Sequence, residues 1–442
     1  MENVITQISA SLYDQLIDHI EEKLKKSSAG SNELAALQQK AFQQFKRMGF
    51  PSTKVEDWKY TNLKRFLNEE FSIEDNDEST LTKDIIKQLQ IPLLNCYTIV
   101  LLNGKYVPEF SDIVSDKGVN VLPINEAVEK PLFKKHFGKY VDIQSNHFEA
   151  LNTALLQDGL YIEVKNKTIV DKPIHILHIS SSEKNLFIQP RFLFVVDPQA
   201  EASIIESYVS TENSATVFAN TVSEIVVAEN AKLQHYYIQT GNKNARSINH
   251  TEVYQEASSL YNNYKASFPG IDLLRNNINV VLDGMNVESH LFGLYLSGGQ
   301  QLVDNHTIVD HRQPNCFSNE LYKGVMQDEA KGVFNGKVFV RKHAQKTNAF
   351  QQNNNLMLSK KATVDSKPQL EIFADDVKCS HGSTIGQFND EALFYLRSRG
   401  IGDKKAKALL VQAFAFDVTE KFPIAEIRSH INHLIEAGLK EV

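Results

Sequence analysis

In the run Asp375-Asp376-Val377-Lys378-Cys379-Ser380-His381-Gly382 a thiol and an imidazole stand two residues apart. On an extended backbone, side chains two apart share a face, so Cys379 and His381 point the same way. A thiolate beside an imidazole is a soft-to-borderline donor pair suited to iron or zinc. Two donors from one chain do not close a metal site, so a partner chain would have to supply the rest. The competing chemistry is a cysteine nucleophile activated by histidine. The two groups sit side by side on one strand, however, and nothing nearby suggests an oxyanion hole. The plain alternative is a buried cysteine with a surface histidine.

A second set is formed by His290, His306, His311 and His343, with Asp304 and Asp310 close to two of them. If Asp304 to His311 is a strand, Asp304, His306, Ile308 and Asp310 lie on one side, and Asn305, Thr307, Val309 and His311 on the other. Buried polar side chains need partners, so hydrogen-bonded stacking is expected here rather than metal ligation. A third match, Leu296-Ser297-Gly298-Gly299-Gln300, has the form of the signature peptide of ABC-type ATPases. No Gly-x-x-x-x-Gly-Lys-Ser/Thr accompanies it, so nothing would cradle the phosphates, and it lies between strand-like segments. It is expected to be a turn, and the chain to bind no nucleotide.

Composition narrows the classes. The 442 residues carry Lys+Arg 47 against Asp+Glu 54, a formal charge of −7, with no basic tract. Nucleic acid and anionic membranes are therefore poor partners. No apolar run approaches the roughly 20 residues of a membrane helix. The first residues, from Met1 to Thr6, lack the features of a signal peptide, which gives a cytoplasmic expectation. Three scattered cysteines (Cys96, Cys316, Cys379) exclude a disulfide scaffold and a Cys-x-x-Cys metal ribbon.

The elements that must position these residues fall into regions 1–70, 71–159, 160–385 and 386–442. The first is helical. Leu12, Leu16, Ile17, Ile20 and Leu24 mark one face, and a second helix from about Ser31 and Asn32 carries Leu34, Leu37, Ala41, Phe42 and Phe45 to a stop at Gly49. The second region is mixed, with a strand-like Tyr97–Leu102. The third is strand-rich and faintly periodic: Ile204, Leu233, Leu260 and Val287 recur at intervals of 29, 27 and 27 residues. That period suits one coil of a parallel β-helix, which buries its inward side chains by stacking on its neighbours. The fourth is helical again. Asn389 or Asp390 caps a helix through Leu393, Phe394 and Leu396. Ala406, Leu409, Leu410, Ala413 and Phe414 mark the face of another, and Ile424, Ile427, Ile431, Leu434 and Ile435 mark the last.

The stretch from Ala374 to Gln387, continued by Glu391-Ala392-Leu393-Phe394-Tyr395-Leu396-Arg397-Ser398-Arg399-Gly400-Ile401, closely resembles the C-terminal motif of the SufD family. Its members are subunits of the SUF iron–sulfur cluster assembly scaffold. Glu56-Asp57-Trp58-Lys59-Tyr60-Thr61 is similar to the family's N-terminal motif, and Asp304 to His311 and Phe317 to Gly324 also fit. The resemblance implies a mainly β fold: a right-handed parallel β-helix between an N-terminal helical region and a C-terminal helical domain. It implies a scaffold rather than an enzyme, pairing with the paralogue SufB through the β-helix ends and binding the ATPase SufC. Cys379 and His381 match residues at the SufB interface, where a transient, shared iron–sulfur cluster forms. The helices after Asn389 would dock SufC, with Leu393, Phe394, Leu409, Leu410 and Phe414 as contact residues. SufB itself usually carries an acidic–His–acidic stretch and further cysteines, so SufD is the better fit. Self-pairing as a homodimer is the further expectation for such a chain when alone. The rivals are a purely structural subunit, with all chemistry in SufB, and a β-helix carbohydrate-active enzyme.

Overall fold

The computed structural model describes residues 11–27, 33–73, 81–156, 158–211, 214–240 and 245–439. It is a mainly β solenoid of about eight coils, flanked by helices at both chain ends. Two ten-stranded sheets face each other. One runs from Tyr97–Leu102 through Ile174–Ser180, Glu201–Ser210, Lys232–Gln239, Leu260–Ser267, Glu288–Ser297, Phe317–Met326 and Thr347–Met357 to Val377–Gln387. The other runs from Gly159–Val164 through Arg191–Val196, Val217–Val227, Ala245–Gln255, Ile271–Leu282, Leu302–His311 and Lys331–Val340 to Thr363–Ile372. Within both runs every neighbour is parallel, and antiparallel pairing is confined to the N-terminal edges. Strands buried on both faces read as near-continuous apolar runs, as Arg191–Val196 does.

Each coil turns into the first sheet through one left-handed residue: Lys167, Gln199, Asn230, Ser258, Asn286, Asn315 and Lys346, with φ between 57° and 62°. These residues are the true repeat marker. The anchors Ile204, Leu233, Leu260 and Val287 do not stack as expected. Leu233 lies beside Ala202 and Tyr261, while Ile204 lies beside His235. The period is right but the alignment slips by one or two residues, because the turns differ in length while the strand register stays fixed. A slip of one flips every side chain to the opposite face.

Between the sheets lies one apolar core that includes Ile204, Leu233, Tyr261, Leu291, Tyr322 and Phe334. A second core forms where the helices Leu12–Ser27 and Glu33–Met48 cover the outside of the second sheet with Leu16, Ile20, Phe42 and Phe45. The expected start of the second helix at Ser31 and Asn32 lies outside the described residues. A third core seats the C-terminal helices Asp403–Thr419 and Ala425–Gly438 on the outside of the first sheet. Here the sequence misleads. Of the expected face of the first of these helices, only Ala406 is buried. The helix instead buries Ala408, Val411, Ala415 and Val418. It is apolar almost all round, from Leu409 to Phe416, so periodicity alone does not select the buried stripe. Among the described residues no helix is long and apolar enough to cross a membrane.

Candidate functional site

The last coil ends on Val377–Gln387, which is hydrogen-bonded to Thr347–Met357 on one side only. Its inward side chains continue rows that run the length of the solenoid. Cys379 ends the row Leu233, Tyr261, Ser289, Ser318, Ala349. His381 ends the row His235, Asn263, Leu291, Glu320, Gln351. Ser383 ends a third row and donates from Oγ to Ser366 Oγ of the opposite sheet, 2.8 Å away. The thiol and imidazole thus share a face, as expected, and that face is the open mouth of the solenoid.

Their environments differ. Cys379 is half-buried against the apolar core, and His381 is exposed. Burial pushes the Cys379 thiol up, and the neighbouring Ala349 backbone offsets this only in part. The thiolate therefore needs a nearby cation before it becomes the stable form. Among the described residues no group of three or more His, Cys, Asp or Glu side chains could hold a metal ion. The pair on its own is an incomplete donor set. Of the other thiols, Cys316 is buried and donates to the Gly284 carbonyl at 3.3 Å, and Cys96 is half-buried.

The second set of candidates is divided by the sheet. His311 points inward and its Nε2 meets Ser318 Oγ at 2.8 Å. His306 points outward, with Nε2 2.9 Å from Asp304 Oδ1. Asp304 Oδ2 accepts from Arg275 Nη1 at 2.6 Å and from Thr61 Oγ1 at 2.5 Å. The Arg275 guanidinium lies 3.9 Å from the centre of the Trp58 ring, which itself packs on Phe148. The N-terminal run Glu56 to Thr61 is therefore clasped onto the outer face of the solenoid, and Asp304 is the knot of that clasp. Arg275 was not singled out from the sequence. The signal for it was the one cation in the strand Ile271–Leu282, directly after Leu273-Leu274.

Leu296 and Ser297 close one strand, and Gly298-Gly299-Gln300 is the turn before the next. Gly299 has φ +62°, and its amide donates to Asp328 of the following turn at 2.7 Å. The glycine there serves backbone geometry. Of the expected contact residues, Phe394 is 74% exposed and Leu409 39%. Leu393 and Leu410 are half-buried, and Phe414 lies under the Lys323 ammonium, which donates to its carbonyl at 2.7 Å. In the helix Asp390–Ser398, capped by Asn389 as expected, no side chain is buried.

The family model described as "SUF system FeS cluster assembly, SufBD core domain" matches residues 178–414, and "SufBD protein N-terminal region" matches 7–176. The chain is 34% identical over 394 residues to the iron-sulfur cluster assembly protein SufD of Escherichia coli (strain K12), covering 86% of this chain and 88% of that one. It is 26% identical over 402 residues to SufD of Bacillus subtilis (strain 168), covering 88% and 89%. Against the chloroplastic protein ABCI7 of Arabidopsis thaliana the figure is 35% over 297 residues, 65% and 62% of the two chains. Since both halves of the molecule and nearly all of its length match, the chain belongs to the SufD family, within the SufBD proteins of the SUF system for iron–sulfur cluster assembly.

Proposed function

We propose that this chain is a scaffold subunit that contributes Cys379 and His381 to a nascent-cluster site shared with a SufB-like paralogue. A role in iron–sulfur cluster assembly follows from its family. The observation that carries the finer reading is the incomplete donor pair on the last coil, beside an unpaired strand edge. An open edge is a template for another chain's strand, and a paralogue with the same solenoid is the natural complement. Pairing there would bring further donors to Cys379 and His381, and the cargo iron would supply the positive charge that the buried thiol needs. The helices of region 386–442 would dock a SufC-like ABC-type ATPase, with Leu393, Phe394, Leu409, Leu410 and Phe414 as contact residues. Region 160–385 would serve as the scaffold core, and nucleotide hydrolysis would belong to the ATPase partner.

The test is co-expression with candidate SufB and SufC partners and anaerobic purification, followed by assay of iron and acid-labile sulfide. His381→Ala should leave the complex assembled and lower both. Cys379→Ala should lower them less, since a half-buried thiol also serves packing. Unchanged iron and sulfide in His381→Ala would make the subunit architectural, and failure of the wild-type chain to assemble would remove the pairing itself.

A further inference from the structure

The residue beside His381 on the neighbouring strand is Gln351, and the residue beside Gln351 is Glu320. Gln351 is only 3% exposed. Its Nε2 donates to Glu320 Oε1 at 3.2 Å, and the other oxygen of Glu320 accepts from Thr307 Oγ1 at 2.5 Å. Across the solenoid, Gly336 makes room for the amide. A Cβ at that position would stand 2.3 Å from Gln351 Nε2 and 2.8 Å from its Cδ. The side chain is therefore held from two sides. Yet Gln351 Oε1 is buried and has no hydrogen-bond partner.

The direction of the amide follows from chemistry. An ionised carboxylate only accepts, so Gln351 must turn its NH2 toward Glu320 and its carbonyl oxygen away. A buried carbonyl oxygen without a donor is costly, and the next side chain in its row is the imidazole. Adjacent strands lie roughly 4.8 Å apart, within reach for these two side chains. A histidine that ligates through one ring nitrogen needs an acceptor at the other to fix its tautomer and aim its ring.

We infer that Gln351 is a positioning residue for His381: a turn of the imidazole brings its Nδ1–H onto the unpartnered Gln351 Oε1, leaving Nε2 bare and directed out of the solenoid mouth. The purpose of this arrangement rests on the proposed role of His381 as a cargo ligand, but its geometry does not. Glu320 and Thr307 set the amide, Gly336 gives it space, and Gln351 transmits the setting to the ring. Burial pushes the Glu320 carboxyl up to about 7, against the hydrogen bonds from Thr307 and Gln351, so the arrangement is best read in mildly alkaline solution.

The test uses the full chain alone, labelled with 15N-histidine, at about pH 8. The His381 signals are assigned by their loss in His381→Ala. In the wild type, His381 should be mainly the Nδ1–H tautomer, against the preference of free histidine. Gln351→Leu should return it to the free-histidine mixture with little change in melting temperature. Gln351→Glu, which keeps an acceptor, should retain the Nδ1–H form. A wild-type His381 with the tautomer ratio of free histidine overturns the inference, without reliance on any variant's folding. In the co-purified complex, Gln351→Leu should weaken metal retention by about 10- to 100-fold. The two readings separate cleanly. Unchanged iron in His381→Ala defeats the ligand role, whereas an unshifted tautomer in Gln351→Leu defeats only the positioning role.

Discussion

Asp304 shows how much a single carboxylate can organise. Burial opposes its ionisation, but His306, Arg275 and Thr61 together hold it well below the usual carboxylate range. His306 is itself lowered by burial and by Arg275, against the attraction of Asp304. Removing the charge would leave the buried Arg275 without its counter-ion, and such losses cost about 3–5 kcal/mol. Asp304→Asn should therefore lower the urea midpoint at about pH 7, and equal midpoints there would refute the clasp. An acid with a depressed pKa contributes stability that is complete above its unfolded value and lost as pH falls through the folded one. The gap between wild type and Asp304→Asn should thus persist through mild acid and shrink only below the ordinary value of 3.8.

At the scale of the element, the two kinds of glycine in this solenoid do different work. Gly299 has a left-handed backbone and nothing within 4 Å of where its Cβ would be. Gly293 lies inside a strand, where a Cβ would stand 2.3 Å from the ring of Tyr322 on the next strand. Gly299→Ala should cost about 1–2 kcal/mol through backbone strain alone. Gly293→Ala, which overpacks the core, should cost about 1–3 kcal/mol and perturb the Tyr322 environment as well. Denaturant titration with near-ultraviolet circular dichroism separates the two. An unaltered aromatic signal in Gly293→Ala would mean the ring has room that the strand spacing denies it. The Leu296-to-Gln300 peptide is explained at this scale, as a turn whose glycine meets a backbone requirement.

For the molecule as a whole, the decisive asymmetry is between its ends. At the C-terminal end both sheets finish on strands paired on one side only, with Ile385 55% exposed and Phe373 59% exposed nearby. The helices Leu12–Ser27 and Glu33–Met48 cover part of the outside of the second sheet, and Asp403–Thr419 and Ala425–Gly438 part of the outside of the first. Exposed apolar side chains beside an open strand edge are what the proposed pairing would cover. Ile385→Asp should leave the far-ultraviolet spectrum unchanged and abolish pairing through this end. Light scattering would detect the loss with the chain alone if it forms a homodimer, and with the SufB-like partner in co-purification. Pairing that survives the added charge would locate the interface elsewhere.

The sequence by itself determined the fold class, the period of the coils, the helices at both chain ends, and the fact that Cys379 and His381 share a face. Those features depend on local alternation, on turn residues and on short motifs, all of which are legible along one chain. Only the tertiary structure decided the register. Turn lengths vary from coil to coil, so the stacking of Leu233 on Tyr261 rather than Leu260 depends on backbone pairing between distant segments. For the same reason Arg275 and Asp304, and Glu320 and Gln351, become neighbours only after the coils close. The buried stripe of the helix Asp403–Thr419 was likewise undetermined, because an all-round apolar helix takes its orientation from the surface it meets. What a residue type can do was written in the chain; which group it faces was set by packing between coils.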